Sequence, residues 1–534
     1  MPSTLNRLSA GAGMLLAMIA AVAPAADEAG ARRVTFTEDV APILLAHCAG
    51  CHRPGEIAPM SLLTYEETRP WAKSIKEMVL KGAMPPWFAD PAYGKFRNER
   101  RLTADQIALL AAWVDQGAPQ GDPAAMPPIP DFPVGWELGE PDYIVELPEV
   151  DVPANVADLF PNLIVPLNLP EERWVRAVEI RPSNRLVNHH VVLFMNAGGA
   201  ALSEGGFFDV LATWAVGTGP TVFPEGMGRR LRPNQRLVAN MHYHATDTPQ
   251  KDVTRVGFYF GQGELNKEIN AVLAGDVTFR IPPGVDDFEL RARHIVDQDI
   301  QLVSYFPHMH MRGKAMTFTA RYPDGRRETL LHVPNYDFNW QLFYYPEEPV
   351  ELPAGTLIEI DARYDNSARN PNNPDPSRAL TFGLQSTDEM MFGVFEFVAK
   401  EGVRPKAITP RSRLEALLRA LGTESVYRVD LALGQMKVPT ALVLPREGRG
   451  ELHVPFGPQM TTVPVRDVVW SGDAFTFRLD IMGIVVEARG EVRPDGSITG
   501  AFTRPASPAA APSGSGGAFL GMFNLQGFEG QRAG

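Results

Sequence analysis

The spacing of apolar residues changes character along the chain, and the changes mark out its units. Between 36 and 115 they recur at helical intervals. Positions 36–44 read as the start of a short amphipathic helix, and 65–82, with Trp71, Ile75, Val79 and Leu80, as a second. Thr103 is placed to cap a third, whose stripe is Ile107, Leu110, Ala111 and Val114. From about 136 to 400 the period falls to that of strands. Short apolar runs such as 174–180, 191–194, 256–260 and 316–322 are separated by Pro, Gly, Asn and Asp. Alternation without intervening helices predicts β-sandwiches, and the length allows two with a join near 265–285. A short helix over 411–421 precedes a last β region, 425–534, whose Gly472-Asp473 and Asp495-Gly496 turns close hairpins and predict a small meander barrel.

Composition adds to this outline. A chain of 534 residues exceeds one core, at roughly 150 residues per domain. The 48 prolines and 47 glycines suit β domains with long loops, and the proline-rich stretch 118–135 reads as an extended linker, 123–135 being its interdomain part. An Ala/Pro/Ser/Gly-rich stretch, 505–517, reads as flexible. The net charge of −13, with no long basic run, argues against a nucleic-acid partner. At the N-terminus Arg7, the apolar run 14–22 and Ala23-Pro24-Ala25 form a secretory signal over 1–25, too short for a bilayer span. No later stretch is long enough to span. The expectation is a periplasmic or secreted protein with no transmembrane segment after signal cleavage.

The two cysteines both lie in Cys48-Ala49-Gly50-Cys51-His52. This is the spacing of a c-type haem attachment site, in which each thiol forms a thioether to a haem vinyl and the following histidine reaches the iron. A zinc site would need more sulfur or histidine close by, and a redox pair a βαβ surround. The order helix, haem motif, helix, Met loop, helix over 34–122 resembles a small class I cytochrome c. Met84, in a loop fixed by Pro85 and Pro86, is the chosen sixth iron ligand, with Met60 and Met78 as rivals. A thioether there would raise the haem potential and leave no open position on the iron.

Six of the 11 histidines come in three close pairs within the β region: His189-His190, His242-Tyr243-His244 and His308-Met309-His310. A strand sets residues i and i+2 on one face, so an HxH pair can present two imidazoles together. His189 and His190 are adjacent and would point to opposite faces. To share a metal they need a bulge or different ring nitrogens. One HxH in a strand is usually surface or core; three pairs in one β region favour a metal. No Asp or Glu recurs at matching spacing, which favours copper or zinc over a hard ion. Spacing alone leaves His242 and His244 equivalent, and His47, His294, His332 and His453 are left as structural or surface residues.

Asn188-His189-His190-Val191-Val192, Met241-His242-Tyr243, His308-Met309-His310 with Gly313-Lys314, and Asp388-Glu389-Met390 follow in one order. That order resembles the copper type II, ascorbate-dependent monooxygenases, the group of peptidylglycine-hydroxylating and dopamine β-type enzymes, over roughly 140–400. The resemblance implies two facing β-sandwich (jelly-roll) domains, 136–275 and 276–400, each holding one copper ion. It places an electron-transfer copper on His189, His190 and His242, choosing His242 over His244, and the copper that activates O₂ on His308, His310 and Met390. The expected architecture is multidomain: a small all-α cytochrome c domain, two all-β sandwiches and a small C-terminal β domain.

The chain departs from that family at two positions. The amidating enzymes carry an arginine two residues before the first His of the HxH, where this chain has Phe306, and a tyrosine four after the Met ligand, where it has Val394. A peptide carboxylate would lose an ion pair and a hydrogen bond, so peptide amidation is not expected. The expectation is a monooxygenase that hydroxylates a C–H bond of a fairly apolar small molecule with O₂. Electrons would come from ascorbate, another external reductant or a redox partner protein, through the covalent haem c to the two copper ions. The competing readings are a non-catalytic haem c and copper electron-transfer or copper-binding protein, and a cytochrome c fused to metal-free adhesive sandwiches.

Overall fold

The computed structural model describes residues 33–533 apart from 57, 133–134, 157, 198–209, 216–217, 262–264, 384, 404–409, 423–424, 434–435, 457–458, 482–483 and 504–524. The expected signal segment, 1–25, and the stretch 505–517 lie outside the described residues. No helix among the described residues is long and apolar enough to cross a membrane.

The N-terminal unit is helical. A π-turn, Phe36–Val40, runs into the helix Ala41–His47, whose last residue abuts the Cys48–His52 motif. Tyr65–Thr68 begins under a capping box in which Thr64 and Glu67 satisfy each other's backbone N–H groups, and Ala72–Leu80 continues the pattern after one 3₁₀ turn. Thr103 and Gln106 cap Ala104–Asp115 in the same way. Phe36, Leu44, Ile75, Leu110 and Trp113 form the core. The proline-rich stretch is not a free spacer at its start. The Pro119 carbonyl accepts from Phe36 N and Trp113 Nε1, and the Gln120 carbonyl from Thr37 N.

Two β-sandwiches follow. In the first, one sheet runs Tyr143–Glu146, Arg255–Phe260, Arg173–Arg181, Met227–Leu231, Lys267–Glu268 in spatial order. The other runs Asn162–Pro166, Gln235–Tyr243, Asn188–Ala197, Val210–Ala215. Val178, Val256 and Phe258 from one face meet Val191, Leu193, Leu237 and Met241 from the other. The second sandwich packs Asn270–Gly275, Phe392–Ala399, Ile300–His308 and Val350–Leu352 against Phe288–Ile295, Leu357–Tyr364, Gly313–Arg321 and Arg327–Val333. Asn270–Gly275 pairs with Phe392–Ala399, so the chain crosses to the second sandwich at 268–270 rather than at 275.

The remainder of the chain is attached to the second sandwich. The helix Pro410–Leu421 wedges Leu414, Leu417 and Leu418 between Ile295 and Leu357 of the sandwich and Val426, Ala441 and Met460 beyond. The strands from Val426–Leu433 to Leu525–Arg532 pair in sequence, and the first pairs the last, closing an eight-stranded antiparallel barrel filled by Phe475, Phe477, Leu479 and Phe528. Closure leaves the barrel no free edge.

The helical unit grips both sandwiches. Arg185 of the first sandwich pairs with Glu56 of the haem-motif loop, and Glu56 also receives Arg53 at 3.0 Å. From the same unit, 87–99 lies on the second sandwich. Trp87 packs edge-on against Tyr344, Asp90 N donates to the His332 carbonyl, and Asn98 exchanges hydrogen bonds with the Phe343 carbonyl and Tyr345 N. Trp87 and Phe96 thus belong to the sandwich core, although the sequence places them in the helical unit.

Candidate metal centres

The first cluster begins with a fault in a strand. Where Asn188–Ala197 pairs with Gln235–Tyr243, the register shifts between Asn188 and His190, which leaves His189 as the extra residue of a bulge. Buried Asp252 holds that turn. Its carboxylate accepts from Asn188 Nδ2, Asn184 N, Ser183 Oγ, Thr254 Oγ1 and the Tyr243 hydroxyl. The bulge brings adjacent histidines to one side. His189 Nδ1 lies 3.2 Å from His190 Nδ1, which lies 3.3 Å from His242 Nδ1. Two nitrogens bound tetrahedrally to one ion at about 2.05 Å would stand about 3.3 Å apart. The spacing fits a shared metal ion.

The protonation states agree. Burial, then His242 and His244, brings His189 down to about 3 against the opposing pull of Asp158, and burial with the surrounding imidazoles holds His190 well below its ordinary value. Burial also lowers His242, whose Nε2 donates to Asp158 Oδ2 at 2.9 Å. With its proton on Nε2, the neutral ring turns a lone pair on Nδ1 toward the cluster. His244 is exposed and its Nδ1 lies 2.6 Å from Asp158 Oδ1, so the structure brings His242, not His244, to His189 and His190.

In the second sandwich His308 ends the strand Ile300–His308 and His310 follows it, with Met309 between them turned into the core. Their rings stand 5.4 Å apart, nearly perpendicular. His308 Nδ1 donates to Gln341 Oε1 at 2.7 Å, which frees Nε2. Burial, partly opposed by Gln341, brings His308 down to about 4. His310 Nδ1 is buried with no hydrogen-bond partner among the described residues. An unpaired buried nitrogen costs about 1–3 kcal/mol unless something fills its lone pair, and a metal ion does. Burial, then His308 and His242, holds that ring neutral.

Glu389, fully buried, draws the Met390 segment to this pair. One oxygen accepts from His310 N and Met390 N, the other from Arg312 N. Burial raises this carboxyl to about 8 against those backbone donors. Met390 itself is half-buried, its carbonyl accepting from the Tyr364 hydroxyl. The two histidine groups are neighbours across the junction of the sandwiches, with His190 and His308 ring centres 6.5 Å apart. Phe338 stacks on His189 at 5.2 Å and meets His310 at 5.8 Å, so one ring touches both groups. Beside His308 lies an apolar wall of Phe306, Phe343, Phe392 and Val394.

In the Cys48–His52 motif, Cys48 and Cys51 form no disulfide. Burial, then Cys51, pushes the Cys48 thiol up to about 12, and burial raises Cys51 as well. That is the reverse of a redox-active pair, which depends on a lowered thiol. His52 Nδ1 donates to the Met60 carbonyl at 3.3 Å and leaves Nε2 free, as an axial ligand needs. Met84 is half-buried just past the helix Ala72–Leu80, its N donating to the Met78 carbonyl. Of the histidines left aside, His294 and His453 are buried, His332 bonds Thr317, and His47 lies against Gln106.

Asp158, Asp252, Phe338, Gln341 and Ser386 were missed by sequence reasoning. None stands at a fixed interval from a histidine, and only the fold brings them there.

No protein-family model matches the chain. Among curated proteins it is 25% identical over 274 residues, 47% of this chain, to peptidyl-glycine alpha-amidating monooxygenase A of Xenopus laevis, and it spans 28% of that relative's length. Among solved structures it is similar to broad bean stain virus (8% identity, 52% of this chain and 95% of that chain, TM-score 0.26) and to PNGF-II (9%, 49% and 66%, TM-score 0.23). At those scores neither likeness bears on the fold. By sequence, then, the chain is distantly similar to a monooxygenase over nearly half its length.

Proposed function

We propose that this chain is a copper-dependent monooxygenase that hydroxylates a C–H bond of an apolar small molecule and carries its own haem c electron donor. The observation that supports it most is the convergence of three Nδ1 atoms, from His189, His190 and His242, at metal-ligand spacing. These residues would hold one copper, and His308, His310 and Met390 the other, neutral imidazole and thioether being soft donors suited to Cu(I). Cys48 and Cys51 would tether haem c, and His52 and Met84 would hold its iron. When bound, the copper ions would supply O₂ reduction and C–H oxidation, and the haem would supply electrons.

The chain's own residues account for the rest. The Gln341 side-chain carbonyl keeps a proton on His308 Nδ1 so that Nε2 is left as a lone pair, and the Met60 carbonyl does the same for His52. Phe306, Phe343, Phe392 and Val394 exclude water beside His308 and offer a substrate apolar surface. Ascorbate, another small reductant or a redox protein would reduce the haem, in a periplasmic or secreted setting.

The test is metal quantification followed by anaerobic reduction. We expect about two coppers and one haem per chain, and haem reoxidation on O₂ addition only when copper is present. His308→Ala and Met390→Ala should each abolish copper-dependent O₂ uptake; normal uptake in either would overturn the assignment. Two tightly bound coppers with no reductant-driven O₂ uptake would identify an electron carrier instead.

A further inference from the structure

Asp158 touches more of this region than any role so far explains. It lies in the loop before Asn162–Pro166, pinned to the His242 strand by reciprocal backbone bonds between Leu159 and Tyr243 at 3.1 and 2.9 Å. The next residue but one, Phe160, stacks on the His242 ring at 4.4 Å and 15°. The Asp158 carboxylate gathers three partners. Oδ2 accepts from His242 Nε2 at 2.9 Å and from the Ser386 hydroxyl, and Oδ1 faces His244 Nδ1 at 2.6 Å. Ser386 belongs to the second sandwich, four residues before Met390. One carboxylate therefore binds the outer edge of a first-cluster histidine and the segment that carries the second cluster's thioether.

From this geometry we propose that Asp158 is a positioning residue for the first copper and the tie that keeps the Met390 segment against it. The inference rests on the copper reading above. Its physical content is specific. An ionised carboxylate on Nε2–H fixes the His242 tautomer and ring angle, and makes Nδ1 a more basic donor. The Phe160 face closes the remaining rotation of that ring. His244 satisfies the second carboxylate oxygen and stands outside the cluster. The resemblance accounted for the ligand histidines and left both Asp158 and His244 without a role.

The experiment uses the full-length holoprotein carrying His308→Ala and His310→Ala, so that the first cluster alone binds copper. In that background Asp158→Asn retains the shape and removes the charge, Asp158→Ala removes the contact, and Asp158→Glu restores the charge. Copper affinity is read by chelator competition and ligand geometry by Cu(II) electron paramagnetic resonance. We expect roughly 10- to 100-fold weaker copper binding in the Asn and Ala variants, a changed hyperfine pattern, and partial recovery in Glu. Ser386→Ala in the otherwise native chain should alter the second copper's spectrum while leaving the first copper's affinity within threefold. Unchanged affinity and spectrum in Asp158→Asn and Asp158→Ala would overturn the inference while leaving the copper reading intact. A parent protein that takes up no copper overturns that reading and this inference with it.

Discussion

At the residue scale the clusters share one device: a side-chain oxygen accepts a hydrogen bond from one N–H of a histidine, so that the other nitrogen is left as a lone pair. Gln341 does this for His308 and Asp158 for His242. Burial alone would keep the rings neutral but would not choose the tautomer. The same burial acts against a carboxylate nearby. Asp276, fully buried beside Thr278, has one oxygen bonded to Thr278 N and Oγ1 and the other without a partner among the described residues. Burial raises its pKa to about 6 against the Thr278 donors. A carboxyl raised on folding stabilises the native state most below its unfolded value, and that contribution is lost as pH rises through 6. The loss approaches about 3 kcal/mol. Asp276→Asn removes the titration. Its stability relative to the native chain should therefore grow by about 1.4 kcal/mol between pH 5 and pH 8. Denaturant melts at both pH values measure this, and a difference that stays flat would refute the buried charge.

At the element scale the decisive feature is the bulge at His189. A regular strand would send His189 and His190 to opposite faces, and the sequence poses that problem without solving it. The solution comes from Asp252, which is more than 60 residues away and collects donors from both strands and the intervening turn. The elements themselves were legible: helical and strand periods predict the N-terminal helices, the Thr103 cap, the sheets and the hairpins. The histidine pairs were legible as chemistry because the rare residue repeats at short intervals. What periodicity cannot show is which loop crosses which strand, so Asp158, Phe338 and Ser386 were invisible. It also leaves the loop residues Trp87 and Phe96 within the 34–122 unit, since an aromatic residue in a loop gives no sign of whose core it fills. Asp252→Ala should leave Asn188, Tyr243 and Thr254 without their acceptor. Each orphaned buried donor costs about 1–3 kcal/mol, so destabilisation should exceed roughly 3 kcal/mol. The same change should loosen the bulge, so copper binding should weaken even below the melting temperature. Calorimetry and chelator competition on one preparation test both, and a stable variant with native affinity would show that the bulge holds without its anchor.

At the scale of the whole molecule the helical unit is a brace as well as a carrier of the Cys48–His52 motif. Its 87–99 segment fixes Phe343 and Tyr345, and Phe343 is part of the wall beside His308. Another contact is the Glu56 to Arg185 pair, whose side chains are 15% and 19% exposed, enough to exclude most water. Arg185 stands four residues before His189, and Glu56 four after His52. This pair thus ties the loop of the Cys48–His52 motif to the bulged strand of the first cluster, and the proposed electron transfer would depend on the two surfaces staying together. Glu56→Lys would face Arg53 and Arg185 with a third cation, replacing two attractions by repulsion at a partly buried site, where screening is weak. The haem motif and the histidines are untouched, so haem absorbance and copper content should stay native. Copper-dependent reoxidation of the reduced haem, followed by stopped-flow after O₂ addition, should slow by tenfold or more. The charge-swapped pair Glu56→Arg with Arg185→Glu should recover part of the rate, because the attraction is restored in reverse. Reoxidation at the native rate in Glu56→Lys would mean that electrons leave the haem by another face of the helical unit, and the docking through Arg185 would then be structural only.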